Sequence, residues 1–175
     1  MENHNQHYFF MRRAIAWARH GKAKDQSAFG AVIVKNGKIV TEVHNTVKQQ
    51  QDCTQHAELS AIQTACNILQ CKQLKGCTLY TSCEPCMMCL GACYWSGLEQ
   101  IFYGASAQDA KDFGFVYSDM FYASNKEDRY KTFSMRQLLR DEALTAWNGP
   151  GNLLTQNDHL RLMEKDVILR QKISN

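Results

Sequence analysis

The reading of this chain turns on "SCEPCMMCLGACYWSG", Ser82 to Gly97. Its cysteines, Cys83, Cys86, Cys89 and Cys93, are spaced C-x2-C-x2-C-x3-C, as in the bacterial ferredoxin run that wraps an iron–sulfur cluster. That run carries proline after its fourth cysteine, whereas here Tyr94 follows and the segment reads as helical. Pro85 suits the first turn of such a helix, where its missing N–H is not needed, and Met87, Leu90 and Tyr94 continue the helix to Gly97. Cys86 and Cys89 then lie three apart on one face. Cys83 belongs to the end of a preceding strand, and Cys93 sits a turn further from the helix mouth. The pair Cys86 and Cys89 can therefore hold one small ion, with the helix N-terminus favouring their thiolates. Cys53, Cys66, Cys71 and Cys77, with Cys83 and Cys93, read as small buried hydrophobes or inert thiols.

Upstream, "CTLYTS" (Cys77 to Ser82) reads as a buried strand, and downstream "EQIFYG" reads as another. Strand, helix, strand in that order implies a right-handed crossover with parallel pairing. Further upstream, "AVIVKNGKIVTEVHN" holds two β-rich runs, Ala31 to Val34 and Lys38 to Val43, joined through Asn36-Gly37, a strong hairpin signal. The class is therefore α/β with a mixed sheet. Apolar spacing predicts a first helix over Tyr8 to His20 with Gly21 as its C-cap, and an amphipathic helix starting close to His56. Beyond Gly104 it predicts a short helix at Ala107 to Asp112 and another from about Ser134 to Trp147. "NGPG", Asn148 to Gly151, reads as a hinge leading to a C-terminal helix. This divides the chain into a body, residues 1–147, and a terminal segment of the same domain, residues 148–175.

A chain of 175 residues, 45% hydrophobic and 21% charged, can bury a continuous core without disulfides or structural metal. Any metal is then expected to serve function. The first residues contain Arg12, Arg13 and Arg19, which leaves neither a signal-peptide core nor a membrane span and points to a cytoplasmic protein. A net charge of +3 does not argue for nucleic acid. The cations Arg129, Lys131, Arg136 and Arg140, with Arg161, Lys165, Arg170 and Lys172, are interspersed with Glu127, Asp128, Asp141, Glu142, Glu164 and Asp166 and read as a solvated mixed-charge face.

The two thiols need a further ligand, and His56 supplies one, with Glu58 two residues on. His, Cys and Cys with an open fourth position is the arrangement of a catalytic rather than a structural zinc. Such an ion makes hydroxide available from water near neutral pH, and a carboxylate beside the metal can move protons. "HAE" at His56 to Glu58 followed by "PCMMC" at Pro85 to Cys89 resembles the H-x-E … P-C-x-x-C signature of zinc nucleobase deaminases.

From about Phe9 to Trp147 the chain resembles the cytidine deaminase superfamily, and more closely its bacterial-type guanine deaminases. The resemblance is densest in "FGAVIVKNGKIVTEVHNTV", "HAELSAI", "LYTSCEPCMMCLGACYWSG" and "IFYGAS". It implies a three-layer α/β/α fold with a five-stranded mixed sheet, and hydrolysis of guanine to xanthine and ammonia at the ring carbon bearing the exocyclic amine. It implies one Zn2+ per subunit on His56, Cys86 and Cys89, with Glu58 as proton shuttle. Phe29, Asn45, Ala57, Trp95 and Asp119 correspond to residues that contact the purine. Aromatic faces and an amide suit a flat heterocycle, and an acceptor-only carboxylate at Asp119 complements guanine's N–H edge. Extra residues stand between Phe115 and Asp119, Ala28 replaces a usual proline, and no aromatic follows Trp147 to supply the cap that a swapped partner segment gives some relatives. A homodimer, with exchange of the segment after the hinge, is a further expectation. The alternatives are a tRNA adenosine deaminase, a cytosine, nucleoside or pterin deaminase, and a non-enzymatic iron–sulfur or structural-zinc protein.

Overall fold

The computed structural model describes residues 4–115 and 131–148. Its elements, in chain order, are α1 (His4–Ala23), β1 (Gly30–Lys35), β2 (Lys38–His44), α2 (Val47–Gln50), α3 (Ala57–Leu69), β3 (Cys77–Cys83), α4 (Met87–Ser96), β4 (Gln100–Ala105), α5 (Ala107–Asp112), β5 (Ser134–Gln137) and α6 (Arg140–Asn148). The five strands form one sheet in the order β2-β1-β3-β4-β5. β1 pairs antiparallel with β2 and β3, while β3, β4 and β5 run parallel. The hairpin turns at Asn36 and Gly37, with φ 51° and 70°, the primed geometry that matches strand twist.

Strand side chains alternate between two cores. Ala31, Ile33, Leu79, Ile101 and Tyr103 pack under α3 and α4. Val32, Val34, Tyr80 and Phe102 pack with Phe10, Met11, Ala14 and Ile15 of α1 and with Ala143 of α6. This is the expected three-layer α/β/α architecture, and every residue of the central strand β3 is buried, as a strand covered on both faces must be.

Three local expectations are corrected. α1 runs on through Gly21 to Ala23, so Gly21 is not its cap. A Cβ on Gly21 would lie 3.0 Å from the Cβ of His44, so its bareness lets α1 approach β2. Pro85 stands one residue before the helix cap, which is Cys86, rather than in the first turn. The single helix expected from Ser134 to Trp147 is instead β5 followed by α6, with Leu139 at φ 56° between them. Met135 fills the sheet-side core, and only four residues pair with β4, too few to show a strand period in the sequence. The hinge beyond Asn148 and the C-terminal segment lie outside the described residues.

Candidate metal centre and active site

α3 and α4 begin beside one another at the carboxyl ends of the parallel strands, where open α/β sheets place their ligands. Each helix starts on a metal-ligand candidate. His56 caps α3 with φ −67° and ψ 151°, and Cys86 caps α4 with φ −69° and ψ 172°. Their carbonyls accept the first helical bonds, from Ser60 and Leu90. Neither side chain makes a capping bond, so both remain free to turn towards each other. Cys89 follows in the first turn of α4.

The result is one cluster. His56 Nδ1 lies 3.6 Å from Cys86 Sγ and 3.8 Å from Cys89 Sγ, and the three ligand atoms lie within 4.8 Å of one another. A tetrahedral zinc about 2.3 Å from sulfur and about 2.0 Å from nitrogen requires an S···N edge of roughly 3.6 Å. The distances and the donor set both fit that ion. Among the described residues no other group of three or more His, Cys, Asp or Glu ligand atoms comes together in this way.

Glu58, 5% exposed, stands beside the cluster. Its Oε2 accepts from Cys89 Sγ at 3.6 Å, and its Oε1 accepts the Thr81 hydroxyl at 2.9 Å. Burial pushes the Glu58 carboxyl above its usual range, and the Cys86 charge adds to this. Its own N–H, His56 and Thr81 only partly offset that rise. The two thiols separate: Cys86 is held well below the usual thiol value by hydrogen bonds with Cys89 and then His56, while Cys89 is pushed up by its bond to Cys86 and by burial. His56 is raised, chiefly by its bond to Cys86. The site thus already stabilises one thiolate, the form that binds metal.

A small cleft opens over the cluster, lined by Phe29, His56, Glu58, Glu84 and Cys86. Phe29 is braced edge-on by Phe115 at 4.8 Å and by Trp147 at 5.8 Å. Trp147 also donates its indole N–H to the Ala28 carbonyl at 3.0 Å. That bond anchors the turn that Ala28 occupies in place of proline. Asn45 is 4% exposed. Its N–H bonds Phe29, and its Oδ1 accepts the Val47 N–H. The turn-forming oxygen is therefore used, which leaves the amide N–H2 as its free donor among the described residues. Ala57 is fully buried and packs in the core under α3, and neither it nor Asn45 is part of the cleft lining.

Trp95 is placed elsewhere: it is 79% exposed on α4, edge-on to Tyr94, and is not part of the cleft lining. Asp119 lies outside the described residues. Cys93 is buried in the core, and Cys83 packs on the opposite side of the sheet, so the ferredoxin spacing does not gather four thiols. Cys77 is buried, Cys66 is half-buried, and Cys53 and Cys71 are exposed, contrary to any reading of all of them as buried.

Two contributors escaped the sequence. Thr81 is the hydroxyl that holds Glu58, hidden in an apparently ordinary strand. Glu84, 4% exposed, accepts the Ala107 N–H at 3.0 Å while its own N–H bonds Ala105. It thereby ties the loop that carries Cys86 to the end of β4. Its position immediately before Pro-Cys was the available signal, since a carboxylate between a buried strand and a helix start has no apolar role.

Residues 4–105 match the family described as the cytidine and deoxycytidylate deaminase zinc-binding region. The guanine deaminase of Bacillus subtilis (strain 168) is 40% identical over 154 residues, covering 87% of this chain and 99% of that protein. The X-ray structure of the Bacillus subtilis guanine deaminase superposes with a TM-score of 0.64 at 41% identity, over 83% of this chain and 94% of that one. The tRNA-specific adenosine deaminase of Aquifex aeolicus (strain VF5) is 41% identical over 108 residues, 62% of this chain and 70% of that protein.

Proposed function

The chain belongs to the cytidine and deoxycytidylate deaminase zinc-binding family, and from that premise we propose that it is a zinc-dependent aminohydrolase converting guanine to xanthine and ammonia. The observation that carries the reading is the convergence of His56, Cys86, Cys89 and the buried Glu58 on one small cleft walled by Phe29. Near-complete coverage of the guanine deaminase relative, against partial coverage of the tRNA adenosine deaminase, selects the free purine base over a tRNA.

When bound, the zinc ion supplies the Lewis acidity that lets water attack near neutral pH. The chain's own residues do the rest. Glu58 takes the proton from the attacking water and delivers it to the ring nitrogen and then to the departing amine. Its raised affinity for protons, from burial, suits a group that must be protonated midway through the reaction. Thr81 fixes one carboxylate oxygen and leaves the other facing the cluster. Phe29 supplies a stacking face, Asn45 an amide donor and Ala57 a small floor, while Asp119 accepts from guanine's N–H edge.

The exposed face of α4, with Met87, Met88, Tyr94 and Trp95 between 37% and 79% exposed, supports a homodimer. Its second subunit would cover Trp95, and the segment after Asn148 would exchange between subunits. Among the described residues no helix is long and apolar enough to cross a membrane, which fits the proposed cytoplasmic location.

Ammonia release from guanine, adenine, cytosine, guanosine, cytidine and an unmodified tRNA, each with and without chelator, tests the assignment. Guanine is expected to be the preferred substrate, with turnover lost on chelation. Turnover of tRNA adenosine but not guanine would replace the reading.

A further inference from the structure

α3 ends in a Schellman motif, at the opposite end from His56 at its start. Gln70 adopts the left-handed conformation, with φ 49° and ψ 40°. Its N–H donates to the Asn67 carbonyl at 3.3 Å, and the Cys71 N–H donates to the Cys66 carbonyl at 3.0 Å. This bonding makes Cys66 and Cys71 the two positions whose side chains can meet across the motif, with Cys71 Sγ accepting the Gln73 N–H at 3.5 Å. In Schellman motifs these positions frequently make an apolar contact. Here both partners are free thiols.

Distance permits a bond between them. With standard covalent lengths and the trigonal bend at the Cys66 carbonyl, a 3.0 Å N···O bond keeps the two Cα atoms within about 6.9 Å even if the remaining angles were straight, and bending those shortens this. A disulfide requires about 4.4–6.8 Å. The sulfurs also sense one another: Cys66 is raised by burial and then by Cys71, and Cys77, at the start of β3, is raised by burial with smaller contributions from Cys66 and Cys71. Exposure distinguishes the pair. Cys71 is open to solvent, while Cys66 is half-buried against the core under α3.

We propose that Cys66 and Cys71 form a reversible intrachain disulfide, a modification site at the C-terminus of α3 that serves neither metal binding nor deamination. The oxidant class is a hydroperoxide. The Cys71 sulfur attacks the peroxide, breaking the O–O bond, to give a sulfenic acid and water. The Cys66 sulfur then displaces the sulfenic oxygen as a second water, so two thiols and one hydrogen peroxide yield one disulfide and two waters. Small-molecule thiols reverse the reaction by exchange.

The test uses the zinc-loaded protein carrying Cys53→Ser, so that the tryptic peptide between Lys48 and Lys72 contains only Cys66 and Cys71. The protein is treated with hydrogen peroxide, unfolded, alkylated with iodoacetamide and digested. The expected peptide is two hydrogens lighter, takes up no alkylating reagent, and recovers both sites after dithiothreitol. Cys66→Ser is expected to leave Cys71 as a sulfenic acid or its further oxidation products, with no intrachain link. Two alkylated cysteines after peroxide would overturn the proposal. So would an oxidised Cys71 beside an alkylatable Cys66, or a Cys66 bonded to Cys77.

Discussion

The Thr81 hydroxyl on β3 lies 2.9 Å from Glu58 Oε1 on α3, across 23 positions of chain, and both residues are buried. The contact joins the sheet to the helix that carries the carboxylate proposed to move protons. It also fills one lone pair of a buried carboxyl oxygen.

Thr81→Val keeps the shape and removes the donor. It is expected to lower kcat for guanine about tenfold, the equivalent of the roughly 1.4 kcal/mol that a hydrogen bond to a carboxylate contributes. KM and zinc content should stay near the wild-type values. Steady-state kinetics with metal analysis checks this, and an unchanged kcat would show that Thr81 does not position Glu58.

His56→Ala and Cys86→Ala should each abolish zinc retention and turnover together. Chelation of the wild-type protein should stop turnover while leaving the far-UV circular dichroism of a folded α/β protein, because the two cores on either side of the sheet contain none of the three proposed ligands. Unfolding on chelation would mark a structural rather than a catalytic metal.

Gly30→Ala is expected to be severely destabilising, by about 3 kcal/mol or more. Its Cβ would lie 2.3 Å from the Ala14 carbonyl oxygen and 2.5 Å from the Ala18 nitrogen, and backbone atoms of α1 cannot rotate away as a flexible side chain can. A urea unfolding midpoint equal to that of the wild type would contradict the close seating of α1 on β1.

Asp109 links α5 to α6 through Arg140 while completing the capping box of Ser106. Burial alone would raise its carboxyl, but the Arg140 bond, followed by the Ser106 N–H and hydroxyl, lowers it below the usual carboxylate value. A carboxyl that binds its proton less readily when folded than when unfolded stabilises the fold above the unfolded-state value near 3.9. That contribution is lost as pH falls through the lower, folded-state value. Between about pH 5 and pH 3 the wild type should therefore lose more stability than Asp109→Asn. Equal acid sensitivity in chemical denaturation series would remove Asp109 from this role.

Trp95→Glu places a charge on the exposed face of α4. Sedimentation should shift from dimer to monomer. A wild type that remains monomeric across concentration would exclude the homodimer altogether.

Much of this molecule was legible because chemistry and local geometry coincide. Asn36-Gly37 declares the hairpin, and His56, Glu58, Cys86 and Cys89 carry donor types that few other roles require. β5 was not legible, because four residues with one buried side chain give no period and the strand is made by its neighbour β4. Trp95 was read as a pocket wall from its place in a motif, whereas its direction depends on which face α4 turns to the sheet, a property of packing. Thr81 and Glu84 act through partners 23 positions away in each case, and such pairings exist only once the chain has folded.

The two helix starts that carry His56 and Cys86 have a cost outside the reaction. A Ser, Asp or Asn at either cap would bond the first-turn amides and contribute about 1 kcal/mol to the helix it begins. Both positions forgo that contribution. Selection of variants for thermal stability alone should thus favour replacements at two of the proposed metal ligands, so a stabilisation campaign on this protein needs an activity screen at residues 56 and 86.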